Sequence, residues 1–388
     1  MVTYAGKLVL APMVRAGELP TRLMALAHGA DLVWSPEIID KKLIQCVRKE
    51  NTALQTVDYV VPSKVQTRPE TLVFRTYPKL ESSKLIFQIG SASPALATQA
   101  ALKVINDVSG IDINAGCPKH FSIHSGMGSA LLRTPDTLCL ILKELVKNVG
   151  NPHSKPISVK IRLLDTKQDT LQLVKRLCAT GITNLTVHCR KTEMRNREQP
   201  ITDYIAEIYE ICQANNVSLI VNGAIRDRSH FHDLQANHWK NTNIGGMIAE
   251  CAERDPTVFD HTSKPSEDGP SWVVACREFI QWATKFDNHI GNTKYMLSRI
   301  VPGKSVFFQY FARCKSPEEV SFVLKQLNDD GSAQTDPSEY LENCRAQEKA
   351  LKNANAIAKQ KRKQTDHIGS DTKKQKVVPL PTDIIYSK

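Results

Sequence analysis

The sequence predicts an α/β protein in which a closed (β/α)8 barrel occupies residues 1–262, a helical domain 268–343, and a basic tail expected to be disordered 344–388. Three observations predict it. Eight short apolar runs alternate with longer amphipathic stretches, the first of strand length and the second of helix length. Eight β/α units in about 260 residues fit a closed TIM-type barrel better than an open doubly wound sheet. Polar residues also gather just beyond the runs, on the face where this barrel builds its active site.

The runs fall at 7–10, 32–34, 85–88, 110–114, 157–161, 184–188, 219–222 and 245–248. Between them, helices are predicted at 94–106, 136–146, 169–179, 203–213 and 228–237, the second after the start signal Thr134-Pro135. The stretch 34–84, rich in Thr, Val and Lys, fits the repeat least well. From 271 to 300 the pattern is helical again, with Trp272, Val273, Cys276, Phe279 and Ile280 spaced to bury one face.

Composition narrows the class. Hydrophobic residues make up 41% and charged residues 23% of the 388, and no apolar run approaches the roughly 18 residues that span a bilayer, so no membrane helix is expected. Residues 1–14 lack the basic-then-apolar pattern of a secretion signal or transit peptide, and the expectation is a protein of cytoplasm and nucleus. Ten cysteines with no C-x-x-C pair read as reduced thiols. The net charge of +11 is uneven, because residues 345–388 carry 11 Lys/Arg against 4 Asp/Glu. That tail holds KQKRK at 359–363 and KKQK at 373–376 with almost no aromatic residues. Such a segment cannot bury enough surface to fold alone, and its basic runs suit nucleic-acid binding or nuclear import.

Six strand ends converge on one mouth: Pro12-Met13, Gln88, Asn114 with Cys117, Lys160 with Arg162, His188 with Arg190, and Asn222-Gly223. Phosphate is expected near strands seven and eight, at Asn222-Gly223-Ala224 and the run from Gly245 to Ala249. A phosphate site beside a lysine and the amides of Gln88 and Asn114 is what flavin mononucleotide needs. Lys160 is the candidate cation for the reduced ring, with a structural ion pair as the plainer reading. In Asn114-Ala115-Gly116-Cys117-Pro118 a thiol sits on a tight loop, able to act as general acid or, at lowered pKa, as nucleophile. Cys117, His120 and His124 also have ligand-like spacing, but no fourth zinc ligand is evident and no metal is expected.

Taken in order, these pieces resemble the tRNA-dihydrouridine synthases, flavoenzymes that reduce uridine in the D-loop of tRNA. The resemblance runs from about Leu8 to Pro256 and rests on Leu10-Ala11-Pro12-Met13-Val14, Phe87-Gln88-Ile89-Gly90, Ile111-Asp112-Ile113-Asn114-Ala115-Gly116-Cys117-Pro118, Gly126-Met127-Gly128, Val159-Lys160-Ile161-Arg162, Val187-His188-Cys189-Arg190 and Asn222-Gly223-Ala224. Lys119 and Asn292-Thr293-Lys294-Tyr295 are similar to the eukaryotic branch acting on uridine 20. The resemblance implies FMN held by Pro12, Met13, Val14, Gln88, Lys160 and His188, with its phosphate on Asn222, Gly223, Ala249 and Glu250. It implies NADPH as electron donor, hydride passing from the reduced flavin to C6 of uracil, and Cys117 protonating C5. It implies tRNA contacts from the helical domain, for which Arg277, Lys285, Lys294, Arg299 and Lys304 are candidates, joined near the mouth by Lys119, Arg162 and Arg190. Two departures stand out: Glu250 replaces a usual arginine, which should weaken phosphate affinity, and Ala224 replaces a usual glycine. No double-stranded-RNA module and no protein partner are evident. A dihydroorotate-type dehydrogenase and a non-catalytic RNA-binding barrel are the competing readings.

Overall fold

The computed structural model describes residues 2–63, 65, 69–195, 197–223, 225–261 and 270–371, with side chains described except at 121 and 359–371. Eight parallel strands close on themselves: β1 (Leu8–Leu10), β2 (Leu32–Trp34), β3 (Leu85–Gly90), β4 (Gly110–Ala115), β5 (Ile157–Leu163), β6 (Asn184–Lys191), β7 (Ser218–Asn222) and β8 (Gly245–Ile248). Each pairs with its sequence neighbour, and β1 with β8 through Leu8↔Gly246 closes the ring. The expected barrel is therefore present. Its strands read as near-continuous apolar runs because helices cover the outer face while side chains fill the inner one.

The outer helices are α1 (Leu19–Ala27), α2 (Pro94–Val104), α3 (Pro135–Leu145), α4 (Lys167–Cys178), α5 (Ile205–Ala214) and α6 (Arg228–Asn237). Their starts follow local chemistry. Ser93 Oγ accepts from Leu96 N, Thr166 Oγ1 from Asp169 N and Asp227 Oδ1 from His230 N, each satisfying an amide that the helix itself leaves open.

The stretch 34–84 is built around a three-stranded antiparallel sheet of Val47–Asn51, Thr56–Val61 and Thr71–Thr76. It joins the barrel core through Phe74, whose ring meets Phe87 edge-on at 4.9 Å. Beside it Arg22 and Glu81, both fully buried, form a two-pronged ion pair at 2.6 and 3.1 Å, and Thr76 and the Tyr77 amide complete the carboxylate's bonds.

The predicted helical run at 271–300 is two helices, α7 (Ser271–Lys285) and α8 (Ile290–Ile300), followed by α9 (Val306–Arg313) and α10 (Pro317–Lys325). Val273, Cys276, Phe279 and Ile280 are buried, as spaced. These helices belong to one compact unit with the barrel, Met1–Gln334. His28, just past α1, bonds Glu278 on α7 at 2.7 Å, and Asn292 on α8 donates to the carbonyl of Arg15 at 2.5 Å. Arg15 sits at φ 71, a conformation that costs an L-residue free energy, and its guanidinium lies 4.1 Å above the Tyr295 ring. Two residues of the Asn292-Thr293-Lys294-Tyr295 stretch thus clamp the loop that follows β1.

The second unit, Thr335–Lys388, contains α11 (Ser338–Asp371). The backbone is helical from Ser338 to Asp371, which includes the start of the tail expected from 344 onward. Lys, Gln, Glu and Ala favour helix, and ion pairs Arg345–Glu348 and Glu348–Lys352 lie one turn apart. Lys373 to Lys376 lie outside the described residues. No helix among the described residues is long and apolar enough to cross a membrane.

Candidate active site

Side chains two apart on a strand share a face, so Gln88, Asn114, Lys160, His188 and Asn222 all point into the barrel near its mouth. Parallel register sets them side by side, with Asn114 opposite Lys160 and His188 opposite Asn222. Beneath them the interior is polar. Asp112 accepts from Ser158 Oγ at 2.5 Å and from Gln88 Nε2 at 2.8 Å, and burial lifts its carboxyl to about 6.

That network rises to the thiol. Asn114 Nδ2 donates to Gln88 Oε1 at 3.2 Å, while Asn114 Oδ1 accepts the amides of Gly116 and Cys117 at 2.9 Å each. Gln88 is committed to Asp112 and Asn114, so it supports the loop from below. Arg162, expected from the sequence to touch RNA, is buried, with bonds at 2.9 Å to the carbonyls of Gly116 and Lys191. The guanidinium braces the cysteine loop from behind.

Cys117 is half-buried, and burial followed by the nearby Glu37 carboxyl pushes its thiol up from the ordinary value. A raised thiol is neutral at pH 7, which favours proton donation over nucleophilic attack. His120 and His124 face each other at 2.7 Å on the short helix His120–His124.

A cavity of about 280 Å³ opens at the mouth, lined by Ala11, Pro12, Lys160, His188, Arg190, Asn222, Gly223, Arg226, Ala249 and Glu250 among others. Lys160 makes no hydrogen bond to any described residue, and burial lowers its ammonium to about 8. His188 is driven down to about 2 by burial and by Lys160, Arg162 and Arg190, so it is neutral. Arg190 donates to His188 Nε2 at 3.1 Å, which leaves the ring proton on Nδ1. Arg190 is buried in this cavity wall. At Gly223, φ +120 combines with a Cβ position 2.8 Å from the His188 ring, so only glycine keeps this wall open. Asn222 donates to the carbonyl of Met247 at 2.9 Å and fixes the β7–β8 rim. Ala224 lies outside the described residues.

Glu250 is paired with Arg254 at 2.5 Å, and the cavity wall carries Arg190 and Arg226 as cations. The cavity wall thus carries, besides Glu250, a cation that sequence reading overlooked, Arg226. Arg226 lies two residues past Ala224, and its place in that loop was the available signal. Met13 is half-buried and Val14 is 53% exposed on the loop after β1. Of the other RNA candidates, Lys119 is exposed, Lys294 half-buried, and Arg299 bonded to Glu253 at 3.2 Å.

A closed parallel barrel with a lysine and two arginines around a cavity at its mouth forms a site suited to an anionic ligand. Residues 31–355 match the model of the dihydrouridine synthase (Dus) family, and the chain belongs to that family. It is 46% identical over 308 residues to tRNA-dihydrouridine(20) synthase [NAD(P)+] of Schizosaccharomyces pombe, a match covering 78% of this chain and 61% of that protein. It is 30% identical over 287 residues to tRNA-dihydrouridine(20a/20b) synthase [NAD(P)+] of Saccharomyces cerevisiae, covering 74% and 67%. A human tRNA-dihydrouridine(20a/20b) synthase [NAD(P)+]-like protein is 27% identical over 304 residues, covering 76% and 84%.

Proposed function

We propose that this chain reduces a uridine in the D-loop of tRNA, at position 20, to 5,6-dihydrouridine, using FMN and NADPH. The observation that carries the reading is the cavity itself. Lys160 stands in it without a hydrogen-bond partner among the described residues and Gly223 keeps its wall clear, while Cys117, on the loop beyond β4, is a neutral thiol within electrostatic reach of Lys160. The fission-yeast relative's name supports the substrate and the position.

The residues present fit FMN. Arg190, Arg226, Asn222 and the backbone at Gly223 and Ala249 would hold its phosphate, and Pro12, Met13, Lys160 and His188 its ring. When bound, FMN supplies the hydride that reaches C6 of uracil. Lys160 keeps a positive charge at the cavity floor at pH 7, and His188 Nδ1 offers a neutral donor. Cys117 holds the proton that goes to C5, and Asn114 and Arg162 fix the loop that carries it. A base inside folded tRNA must leave its stack to reach this mouth.

The test is to map dihydrouridine in tRNA from cells lacking this protein. Loss of the modification at position 20, restored by the wild-type gene, is the expected result; an unchanged map contradicts the reading. Turnover of free dihydroorotate, with tRNA left untouched, would instead favour the small-molecule dehydrogenase.

A further inference from the structure

The stretch Asn292-Thr293-Lys294-Tyr295 lies on α8, and two of its side chains are directed at the barrel. Asn288 Nδ2 donates to Asn292 Oδ1 at 3.0 Å and to Thr293 Oγ1 at 2.9 Å. That fixes which way the Asn292 amide faces: its oxygen is taken, and its Nδ2 donates to the carbonyl of Arg15 at 2.5 Å. Tyr295 reaches in two directions. The Arg15 guanidinium lies 4.1 Å from the centre of its ring, and its hydroxyl donates to Glu253 Oε1 at 2.5 Å. Arg299, one turn further along α8, holds the same carboxylate at 3.1 Å.

These two targets belong to elements that line the mouth cavity. Arg15 is on the loop after β1, which carries the wall residue Pro12. Glu253 sits on the short helix Glu250–Arg254 after β8, and its backbone N–H donates at 2.9 Å to the carbonyl of Ala249, which lines the cavity beside Glu250 and Cys251. Arg15 has φ 71, and a left-handed L-residue persists only where its surroundings hold it there. The same turn is closed from within by the Gly17 N–H, which donates to the Met13 carbonyl at 2.7 Å.

We propose that Asn292 and Tyr295 are positioning residues through which α8 clamps the loop after β1 to the helix after β8, and so holds two walls of the cavity ready for the flavin. Without the clamp, ordering Pro12 and Met13 falls to the cofactor itself, and a loop that must be ordered on binding lowers affinity. The stretch on α8 then serves flavin retention, a role separate from RNA contact. This rests on the reading of the cavity as the flavin site.

The experiment compares full-chain wild type, Asn292→Ala and Tyr295→Phe, each with and without FMN. In the flavin-free proteins, hydrogen exchange of the peptide covering 12–17 should quicken about tenfold in Asn292→Ala, which loses one bond, with exchange elsewhere in the barrel unchanged. FMN release, followed by fluorescence of the freed cofactor, should be about tenfold faster in Asn292→Ala and about threefold faster in Tyr295→Phe, which keeps its ring beside Arg15. Wild-type exchange at 12–17 in Asn292→Ala, or wild-type release rates in both variants, overturns the proposal. So does a fall of more than about 3 °C in the melting midpoint of both flavin-free variants with faster exchange throughout the barrel, because the two side chains would then serve the fold as a whole. Wild-type protein that takes up no FMN would undo the reading of the cavity, and exchange at 12–17 would still decide whether α8 holds the loop.

Discussion

The side-chain oxygen of Asn114 accepts the backbone N–H of Cys117 at 2.9 Å, and accepts that of Gly116 at the same distance. One amide thereby sets the pitch of the whole loop, and its own Nδ2 is anchored to Gln88 and through it to Asp112 at the barrel floor. A thiol on a loop is positioned only as well as its supports.

Removing that support should separate binding from chemistry. In Asn114→Ala the loop loses two bonds while Lys160, Arg190 and Asn222 are untouched. Flavin content should stay within about twofold of wild type, and reoxidation by tRNA should slow by about 10- to 100-fold, the scale of a displacement near 1 Å. Stopped-flow absorbance of the flavin reads both. Equal losses in both would show that Asn114 serves the cofactor.

Lys160 should report on itself through pH. Its ammonium titrates at about 8 in the folded protein against 10.5 ordinarily, so between those values the unfolded chain binds the extra proton. Stability of flavin-free protein should then rise with pH from about 8 to about 10.5, the reverse of a salt-bridged lysine. Urea unfolding at several pH values should show this rise in wild type and lose it in Lys160→Met. The same substitution should slow flavin reduction by NADPH by at least about tenfold while leaving tRNA affinity unchanged.

The barrel was legible because its strands are buried on both faces and announce themselves as apolar runs, and the convergence of Gln88, Asn114, Lys160, His188 and Asn222 follows from their common place at the strand ends and the parallel register. The sheet at 47–76 was not, because Val47–Asn51 is mostly exposed and polar while Thr56–Val61 is buried at almost every position, so neither alternates cleanly. The burial of Arg162 and Arg190 was not legible because burial is a tertiary property, and each is enclosed by carbonyls or ring atoms from elsewhere in the barrel. Arg226 carries no spacing signature; only the folded loop brings it to the cavity.

The basic C-terminal segment should matter for RNA and not for flavin. Deleting 345–388 removes 11 Lys/Arg, and every phosphate that thereby goes unneutralised should take somewhat under one unit from the slope of log affinity against log salt. Filter binding of tRNA at several salt concentrations is expected to show weaker affinity and a flatter slope, with flavin content unchanged. If the slope is the same, the segment is proposed instead to act in nuclear import, and loss of nuclear signal from a tagged truncation would support that role.

The claim on which the account turns is that Cys117 gives its proton to the substrate and takes no part in loading the site with hydride. Single-turnover oxidation of pre-reduced, flavin-loaded enzyme by unmodified tRNA measures that step alone. In Cys117→Ala, flavin should bind and be reduced by NADPH as in wild type, and reoxidation by tRNA should slow by about 10² to 10⁴, the usual worth of a positioned acid. Cys117→Ser should recover little, because a hydroxyl is a far weaker acid than a thiol. A wild-type rate of tRNA-driven reoxidation in Cys117→Ala would contradict the account.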